Sequence, residues 1–209
     1  MYTYIKRTID FLASLFALII LSPLFLFIAI WIKTNSPGPV LFKQKRVGKN
    51  KELFEIYKFR SMRSDTPADM PTHLLNDPEA FITKSGYFLR KTSLDELPQL
   101  INILKGDMAI IGPRPALWNQ YDLIEERDKY GANDIRPGLT GWAQINGRDE
   151  LEIPVKAKLD GDYVQNISFF FDLKCFFGTI SSVLRSDGVV EGGTGVIEKA
   201  KKDVKDNQE

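Results

Sequence analysis

Asp95 and Glu96 are adjacent carboxylates that stand immediately before an apolar run with helical periodicity. A helix that begins here places both carboxylates near the positive end of its dipole, which keeps them ionised and also attracts phosphate. The spacing is therefore compatible with a phosphate-handling site. It is equally compatible with two ordinary first-turn acids that only stabilise the helix. The apolar positions recur at three- and four-residue steps, at Leu94, Leu97, Leu100, Ile101 and Leu104.

The start of this helix has two readings. Ser93 followed three residues later by Glu96 predicts a capping box, in which the hydroxyl of the serine accepts the N–H of Glu96. Pro98 is tolerated only in a first turn, where its missing N–H is not needed. The helix therefore begins either at Ser93 with one lost hydrogen bond, or at Pro98 with the acidic pair just ahead of it.

Composition excludes several classes of protein. The formal net charge of the 209 residues is only +1, which argues against a general nucleic-acid binder. One cysteine, Cys175, rules out a disulfide within the chain, and one histidine rules out a histidine-rich metal site. Cys175 lies among phenylalanines, and we expect it to be an inert packing residue. Charge is concentrated between residues 33 and 63, where nine Lys or Arg stand against two Glu, a local net charge of +7.

The chain begins with a membrane-length apolar segment. Phe11 to Ile32 is almost uninterrupted apolar sequence, and about 22 helical residues reach across a hydrocarbon core. Ser22-Pro23 at its midpoint predicts a broken helix. Basic residues flank both ends, so the positive-inside rule favours the cytoplasm for both. We predict that residues 1–34 are a re-entrant membrane helix broken at Ser22 and Pro23; the alternative is a single span with a tolerated proline.

Residues 35–197 are predicted to be a cytoplasmic, membrane-associated α/β domain that is rich in helices. Val40 to Val47 and Leu53 to Phe59 form two short strands, joined by a turn at Gly48 to Lys51. This hairpin carries most of the basic cluster close to the membrane. Its charges can attract anionic headgroups or neutralise a phosphate substrate.

Arginine is placed in two further segments that favour anion binding. Arg114 lies between two prolines, which would fix its guanidinium for a phosphate or a nucleobase edge; the alternative is a structural turn with an exposed arginine. Arg136 and Arg148 bracket a glycine-rich stretch, whose backbone can approach an anion closely.

The C-terminal part of the chain has a phenylalanine-rich helical segment and a charged tail. Residues 172–185 carry an apolar face that is either core or an interfacial helix in the headgroup plane. Residues 198–209 have the mixed-charge composition of a disordered tail.

Six stretches of the chain together resemble the bacterial sugar transferases of the monotopic phosphoglycosyl transferase family. The resemblance covers nearly all of residues 6–189, in the order and spacing of the family, and the length is similar to its minimal catalytic form. The stretches are KRTIDFLAS, the LSP at Leu21, SPGPVLFKQKRVG, IYKFRSM, RKTSLDELPQLINILKGDMAIIGPRP and IRPGLTGWAQINGR.

The resemblance implies transfer of a sugar 1-phosphate from a UDP-sugar to polyprenyl (undecaprenyl) phosphate, giving polyprenyl-diphosphate-sugar and UMP. It implies Mg²⁺ as cofactor and a place on the cytoplasmic face of the bacterial inner membrane. By the pattern of the family, Asp95 is the nucleophile that forms an aspartyl-phosphosugar intermediate. Glu96, with Asp95, would hold or orient the metal.

Six basic residues are further candidates for substrate binding. Lys58, Arg60 and Arg90 are candidates for either phosphate substrate, and Arg114, Arg136 and Arg148 for the donor phosphate and uridine. Two alternatives remain: direct transfer in a ternary complex with the acidic pair as metal ligands or base, and a membrane-anchored scaffold without activity. Residues 116–127 resemble members that handle N-acetylated, deoxygenated sugars.

Overall fold

The computed structural model describes residues 2–66, 78–147 and 151–185. Arg148 and the predicted disordered tail, residues 198–209, lie outside these ranges. The helices are α1 (Tyr2–Asn35), α2 (Lys84–Lys91), α3 (Gln99–Lys105), α4 (Tyr121–Asp128), α5 (Trp142–Ile145), α6 (Ile153–Gln165) and α7 (Phe169–Arg185). The strands are β1 (Leu41–Val47), β2 (Leu53–Phe59), β3 (Ala109–Ile111) and β4 (Gly138–Thr140). The prediction of a helix-rich α/β fold is confirmed.

Strands β1 and β2 form the predicted antiparallel hairpin, with Leu41 opposite Phe59 and Val47 opposite Leu53. The turn between them contains Asn50 and Lys51 with positive φ. Alternate side chains of a strand point to opposite faces. Ile56 and Phe59 are three residues apart and therefore lie on opposite faces of β2. Ile56 packs in a cluster with residues of α3, and Phe59 packs in a cluster with residues of α1.

Strands β3 and β4 form a separate parallel pair, with Ala109 opposite Gly138 and Ile111 opposite Thr140. Glycines allow the two segments to approach closely. A Cβ added at Gly138 would overlap the backbone of Gly112, and a Cβ at Gly141 would overlap the Gly112 carbonyl. In this structure the glycine-rich stretch therefore serves backbone packing behind the Pro-Arg-Pro turn.

Helix α3 begins after Pro98, which adopts φ −62° at the N-cap. The second reading of the sequence is thus confirmed, and the capping box is wrong. Ser93 has left-handed backbone angles, and its backbone carbonyl, not its hydroxyl, accepts the N–H of Glu96 at 3.2 Å. The helix ends at Gly106, whose φ of +96° suits a glycine C-cap.

The buried face of α3 differs from the predicted apolar stripe. Leu100 is buried as expected, and Ile103 is fully buried, whereas Ile101 and Leu104 are half-buried. The difference arises because the polar side chain of Asn102 also faces the core, where β2 satisfies its hydrogen bonds.

Helix α1 lies along the domain from end to end. Near its start, Arg7 donates hydrogen bonds to the carbonyls of Ile103 and Leu104, at 2.6 and 3.0 Å. At its far end, the Asn35 side chain accepts a hydrogen bond from the Ser85 N–H at 3.2 Å. Between these points α1 contributes to two apolar clusters of the domain, through Ala17, Leu18, Leu21, Leu24, Phe25, Ile28 and Ile32.

The opposite face of α1 is apolar and exposed. By length and composition alone this helix could cross a membrane. It continues through Pro23, where the sequence predicted a break. The Ser22 hydroxyl donates to the carbonyl of Ile19 at 2.8 Å, which satisfies the acceptor that a proline at position 23 leaves without its N–H. The re-entrant path stays a prediction.

On helix α7 a charged side chain faces the domain, and large apolar side chains are exposed. Asp172 and Cys175 are buried against the domain, whereas Phe170 and Phe177 are 80% and 62% exposed. Of the two alternatives left open by the sequence, core is thereby excluded for these two phenylalanines. The exposed apolar face favours the alternative, an interfacial helix.

Candidate functional site

Asp95 lies in a single 3-10 turn, Leu94–Glu96, between α2 and α3. Ser93 precedes this turn with φ 55° and ψ 16°, a left-handed conformation that a serine adopts only at a cost. This kink separates α2 from the acidic pair and lets Asp95 turn into the protein, where it is 4% exposed. Because the Asp95 carboxylate is this well buried, solvent screens its interactions with neighbouring charges only weakly.

Glu96 is held by two cations that come from distant parts of the chain. Lys58, near the end of β2, places Nζ 2.9 Å from Oε1. Arg114 donates through Nη2 to Oε1 at 2.9 Å and through Nη1 to Oε2 at 3.4 Å. All three side chains are at most one quarter exposed. The structure thus brings together four predicted site residues: Asp95, Glu96, Lys58 and Arg114.

The Pro-Arg-Pro turn that presents Arg114 is fixed through its backbone. The three successive carbonyls of residues 113–115 accept hydrogen bonds from Gly138 N, Arg127 Nη1 and Arg46 Nη1 respectively, at 2.8, 2.9 and 3.0 Å. The donors belong to β4, α4 and β1. Because each carbonyl is held by a different element, the direction of the Arg114 side chain is set by the fold as a whole.

Asn102 aligns β2 with α3, and sequence reasoning missed it. Its Oδ1 accepts the N–H of Tyr57 at 2.9 Å, and its Nδ2 donates to the Glu55 carbonyl at 2.7 Å. The side chain is fully buried. This contact fixes the strand one residue before Lys58, and so fixes the approach of Lys58 to Glu96. An asparagine inside an apolar helical stripe is the one sequence signal for it.

Arg60 is placed differently from Lys58. Its guanidinium donates to the carbonyl of Ser36 at 2.8 Å, to the carbonyl of Pro37 and to Ser64 Oγ at 2.7 Å. It is 4% exposed, and burial lowers the pKa of the guanidinium. In this structure Arg60 fastens the segment that follows α1, two residues from the lysine that contacts Glu96.

The other predicted arginines are distributed. Arg90, in the last turn of α2, lies with Nη1 3.5 Å from Ser61 Oγ, and its carbonyl accepts the Ser93 N–H at 3.1 Å. It is therefore next to the acidic turn. Arg136 donates from Nε to the Gly106 carbonyl at 2.8 Å, at the C-terminal end of α3. Seven helical residues span about 10 Å, so the structure does not bring Arg136 to the acidic pair.

Adjacent carboxylates beside a phosphate substrate suit Mg²⁺, which prefers oxygen ligands and is often held by only one or two carboxylates plus waters and substrate phosphates. In the part of the chain that the structure describes, no cluster of three or more His, Cys, Asp or Glu could hold a metal on its own. The donor set of Asp95 and Glu96 fits a Mg²⁺ shared with a substrate, and does not fit a cage made by the protein alone.

The chain is similar to known proteins along most of its length. The profile of the bacterial sugar transferase family matches residues 1–186. The chain is 43% identical over 185 residues to an uncharacterized sugar transferase, EpsL, of Bacillus subtilis, covering 88% of this chain and 90% of that one.

Two further relatives carry more specific names. The chain is 39% identical over 195 residues to the UDP-N-acetylgalactosamine-undecaprenyl-phosphate N-acetylgalactosaminephosphotransferase of Aeromonas hydrophila, covering 90% of this chain and 45% of that protein. It is 39% identical over 201 residues to the undecaprenyl-phosphate galactose phosphotransferase of Salmonella typhimurium, covering 88% of this chain and 41% of that one. The chain therefore belongs to the bacterial sugar transferase family.

Proposed function

We propose that this protein transfers a sugar 1-phosphate from a UDP-sugar to undecaprenyl phosphate, as the first step in the synthesis of a bacterial polysaccharide or glycoconjugate. The observation that carries the proposal is a buried carboxylate, Asp95, beside Glu96, which Lys58 and Arg114 hold in place. Membership of the sugar transferase family and the names of the relatives support the reaction class.

In this proposal Asp95 is the nucleophile. A carboxylate oxygen of Asp95 attacks the phosphorus that bears the sugar, and the bond from that phosphorus to the bridging oxygen of the diphosphate breaks. UMP leaves with the electron pair, and the sugar phosphate stays on Asp95 as an acyl phosphate. A phosphate oxygen of undecaprenyl phosphate then attacks the same phosphorus. This second attack releases Asp95 as a carboxylate and forms the diphosphate-linked sugar.

The cations around Glu96 would reduce the electrostatic repulsion between the nucleophile and the donor. An anionic nucleophile approaches a diphosphate, so positive charge near the site lowers the repulsion and stabilises the leaving group. Lys58 and Arg114 place two such charges within hydrogen-bond distance of the residue next to the nucleophile. Mg²⁺ held by Glu96 and Asp95, together with the donor diphosphate, would supply further charge neutralisation.

The apolar surfaces support a monotopic place on the cytoplasmic face of the inner membrane. Both ends of α1 contact the same domain, at Ile103 and at Ser85, and the free face of the helix is apolar. The exposed phenylalanines of α7 extend the apolar surface. A helix laid on its own domain in this way can enter one leaflet without carrying the chain across, which leaves the domain on the side of the UDP-sugar.

The test is a donor screen followed by a trapping experiment. Purified protein with Mg²⁺ and undecaprenyl phosphate is assayed for UMP release from UDP-sugars with and without N-acetyl groups, since relatives are named for both kinds. With the active donor and no lipid, the protein should retain the labelled phosphosugar. Asp95→Asn should lose both the label and turnover.

Asp65→Asn is the matched control, because Asp65 is an exposed carboxylate paired with Arg63. It should keep full turnover. UMP release that requires undecaprenyl phosphate, with no label on the protein, would favour direct transfer in a ternary complex. Absence of UMP release from every donor would refute the proposed activity.

A further inference from the structure

A buried ion pair lies behind the Pro-Arg-Pro turn, between α4 and α6. Arg127 of α4 donates to Oδ2 of Asp160 of α6 from Nε at 2.8 Å and from Nη2 at 2.5 Å. The two residues are 3% and 1% exposed. Desolvation raises the pKa of the Asp160 carboxyl, and the Arg127 guanidinium acts in the opposite direction.

The third donor nitrogen of Arg127 contacts the backbone of the candidate site. Nη1 lies 2.9 Å from the backbone carbonyl of Arg114, the residue whose guanidinium holds both oxygens of Glu96. Four residues therefore form one continuous series of contacts, from Asp160 through Arg127 and Arg114 to Glu96. Asp160 occupies two donors of Arg127 and leaves the guanidinium oriented so that its remaining edge meets the Arg114 carbonyl.

Packing alone does not explain this pair. Helices α4 and α6 already meet through an apolar cluster that includes Leu123 and Ala157. Replacing a buried ion pair with apolar residues of similar volume is often neutral or stabilising. What a charged pair provides here, and apolar residues could not, is the hydrogen bond to the Arg114 carbonyl.

We propose that Arg127 and Asp160 are positioning residues for sugar-phosphate transfer, a claim that rests on the proposed function. Asp160 orients Arg127, Arg127 fixes the backbone of Arg114, and Arg114 holds Glu96 beside Asp95. A displacement of about 1 Å at a reacting centre can cost on the order of 100-fold in rate. Loss of the pair should therefore lower kcat by about 100-fold and change KM by less than about 3-fold.

The decisive variant is the double replacement Arg127→Met with Asp160→Leu. Each single variant leaves a buried charge without its partner and is expected to fold poorly, whereas the double variant removes both charges. Because removal of both buried charges offsets the cost of leaving the Arg114 carbonyl without this donor, we expect the double variant to keep a Tm close to that of wild type. We expect it to lose about 100-fold in kcat. A folded double variant with wild-type kcat would overturn the proposal.

The matched control is Tyr163→Phe, also on α6. It removes a buried hydroxyl that lies 2.7 Å from Asp172 Oδ1 and 3.1 Å from the Ile111 carbonyl oxygen, and that contacts neither Arg127 nor Arg114. It should lower the Tm and leave kcat unchanged. If it lowers kcat as much as the double variant does, the Arg127 and Asp160 effect is general destabilisation and the proposal fails.

Coupling to Arg114 gives a second readout. In an Arg114→Ala background the guanidinium that Arg127 positions is already gone, so the double replacement should cost less than about 3-fold more in kcat. A further loss of about 100-fold in that background would mean that the pair acts by another route, and would contradict the proposal.

Amide hydrogen exchange tests the positioning claim without a measurement of turnover. Amides in the peptide covering residues 112–118 should exchange at least about 10-fold faster in the double variant than in wild type. The exchange rates of the same amides should be unchanged in Tyr163→Phe. Unchanged exchange in the double variant would overturn the positioning claim. If wild type releases no UMP from any donor, the proposed function fails, and this exchange measurement still decides whether the pair fixes the Arg114 segment.

Discussion

Arg114 contacts both carboxylate oxygens of Glu96. Its Nη2 lies 2.9 Å from Oε1, and its Nη1 lies 3.4 Å from Oε2. The two residues are separated by 18 positions, and the intervening chain includes α3 and β3. The pair joins two motifs that the sequence singled out for separate reasons. Its bidentate form makes it sensitive to geometry as well as to charge.

The first prediction is that Arg114→Lys lowers kcat/KM by about 100-fold, the scale of losing one preorganised donor at a charged site. Lysine keeps the charge but cannot occupy both oxygens of Glu96. Steady-state UMP release measures the loss. Arg63→Lys is the control, because Arg63 makes a similar two-nitrogen contact to Asp65 at an exposed position. Near-normal kinetics in Arg114→Lys would reduce the Pro-Arg-Pro motif to a structural turn.

The second prediction concerns Asn102. Replacement by leucine keeps the volume but leaves the Tyr57 N–H and the Glu55 carbonyl without their partner. The free energy of unfolding should fall by about 3 kcal/mol, which lowers Tm by roughly 6–12 °C in a chain of this size. Thermal unfolding followed by circular dichroism measures the shift.

Asn166→Leu is the matched control for Asn102→Leu. Asn166 donates to the Asp162 carbonyl at 2.8 Å at an exposed position, where water can replace the bond. Its Tm should stay within about 2 °C of wild type, since surface substitutions usually change stability little. Equal shifts in the Tm of the two variants would contradict the argument that Asn102 stabilises the fold because its hydrogen bonds are buried.

The parts of the fold that were predictable from sequence are those with local causes. The hairpin follows from alternating residues on both sides of a turn at Gly48. The start of α3 follows from Pro98, which lacks the N–H that a position inside a helix requires. Exposure of the α7 phenylalanines did not follow, because an apolar helical face can meet either a core or a membrane.

The contacts that build the site have no local signature. Arg127 and Asp160 look like ordinary charged residues of two helices, and only the fold places them together with the carbonyl of Arg114. Arg136 lies in a motif rich in arginine and glycine, yet the structure places it at the far end of α3. Side-chain type identifies candidate residues, and tertiary packing decides which of these candidates lie together.

The third prediction is that the Cys175 thiol is inert in the folded protein. Burial raises its pKa from 9.0 to about 11, and the thiolate is the reactive form. Iodoacetamide at pH 8.5 should leave the native protein unmodified and alkylate it in urea. A Lys45→Cys variant in a Cys175→Ser background, with its thiol exposed on β1, should react at once. Rapid native alkylation of Cys175 would contradict its buried position.

The same pKa shift has a consequence for stability. Because the folded protein holds the thiol proton more tightly than the unfolded chain does, this group stabilises the fold fully below pH 9. That contribution should be lost as the pH rises from 9 towards about 11. Chemical denaturation of wild type and Cys175→Ser across this range measures the difference between their slopes.

The last prediction is the topology of α1. The helix has 34 residues and is about 51 Å long, yet its start is held by the carbonyls at the end of α3 and its finish by α2. A crossing would have to break one of these attachments. Arg7 would then lose two hydrogen bonds, and Lys6 would lose its ion pair with Asp172 at 2.9 Å. Both ends of α1 should therefore lie on the cytoplasmic side.

Tyr4 is 85% exposed, so a Tyr4→Cys substitution reports the start of the helix without disturbing these contacts. In a Cys175→Ser background and intact cells, Tyr4→Cys should resist a membrane-impermeant thiol reagent. Lys45→Cys reports the domain side and should be equally protected, and both should label after permeabilisation. Labelling of Tyr4→Cys from outside, while Lys45→Cys stays protected, would show that α1 crosses the membrane, because only a crossing places the start of the helix and the hairpin on opposite sides.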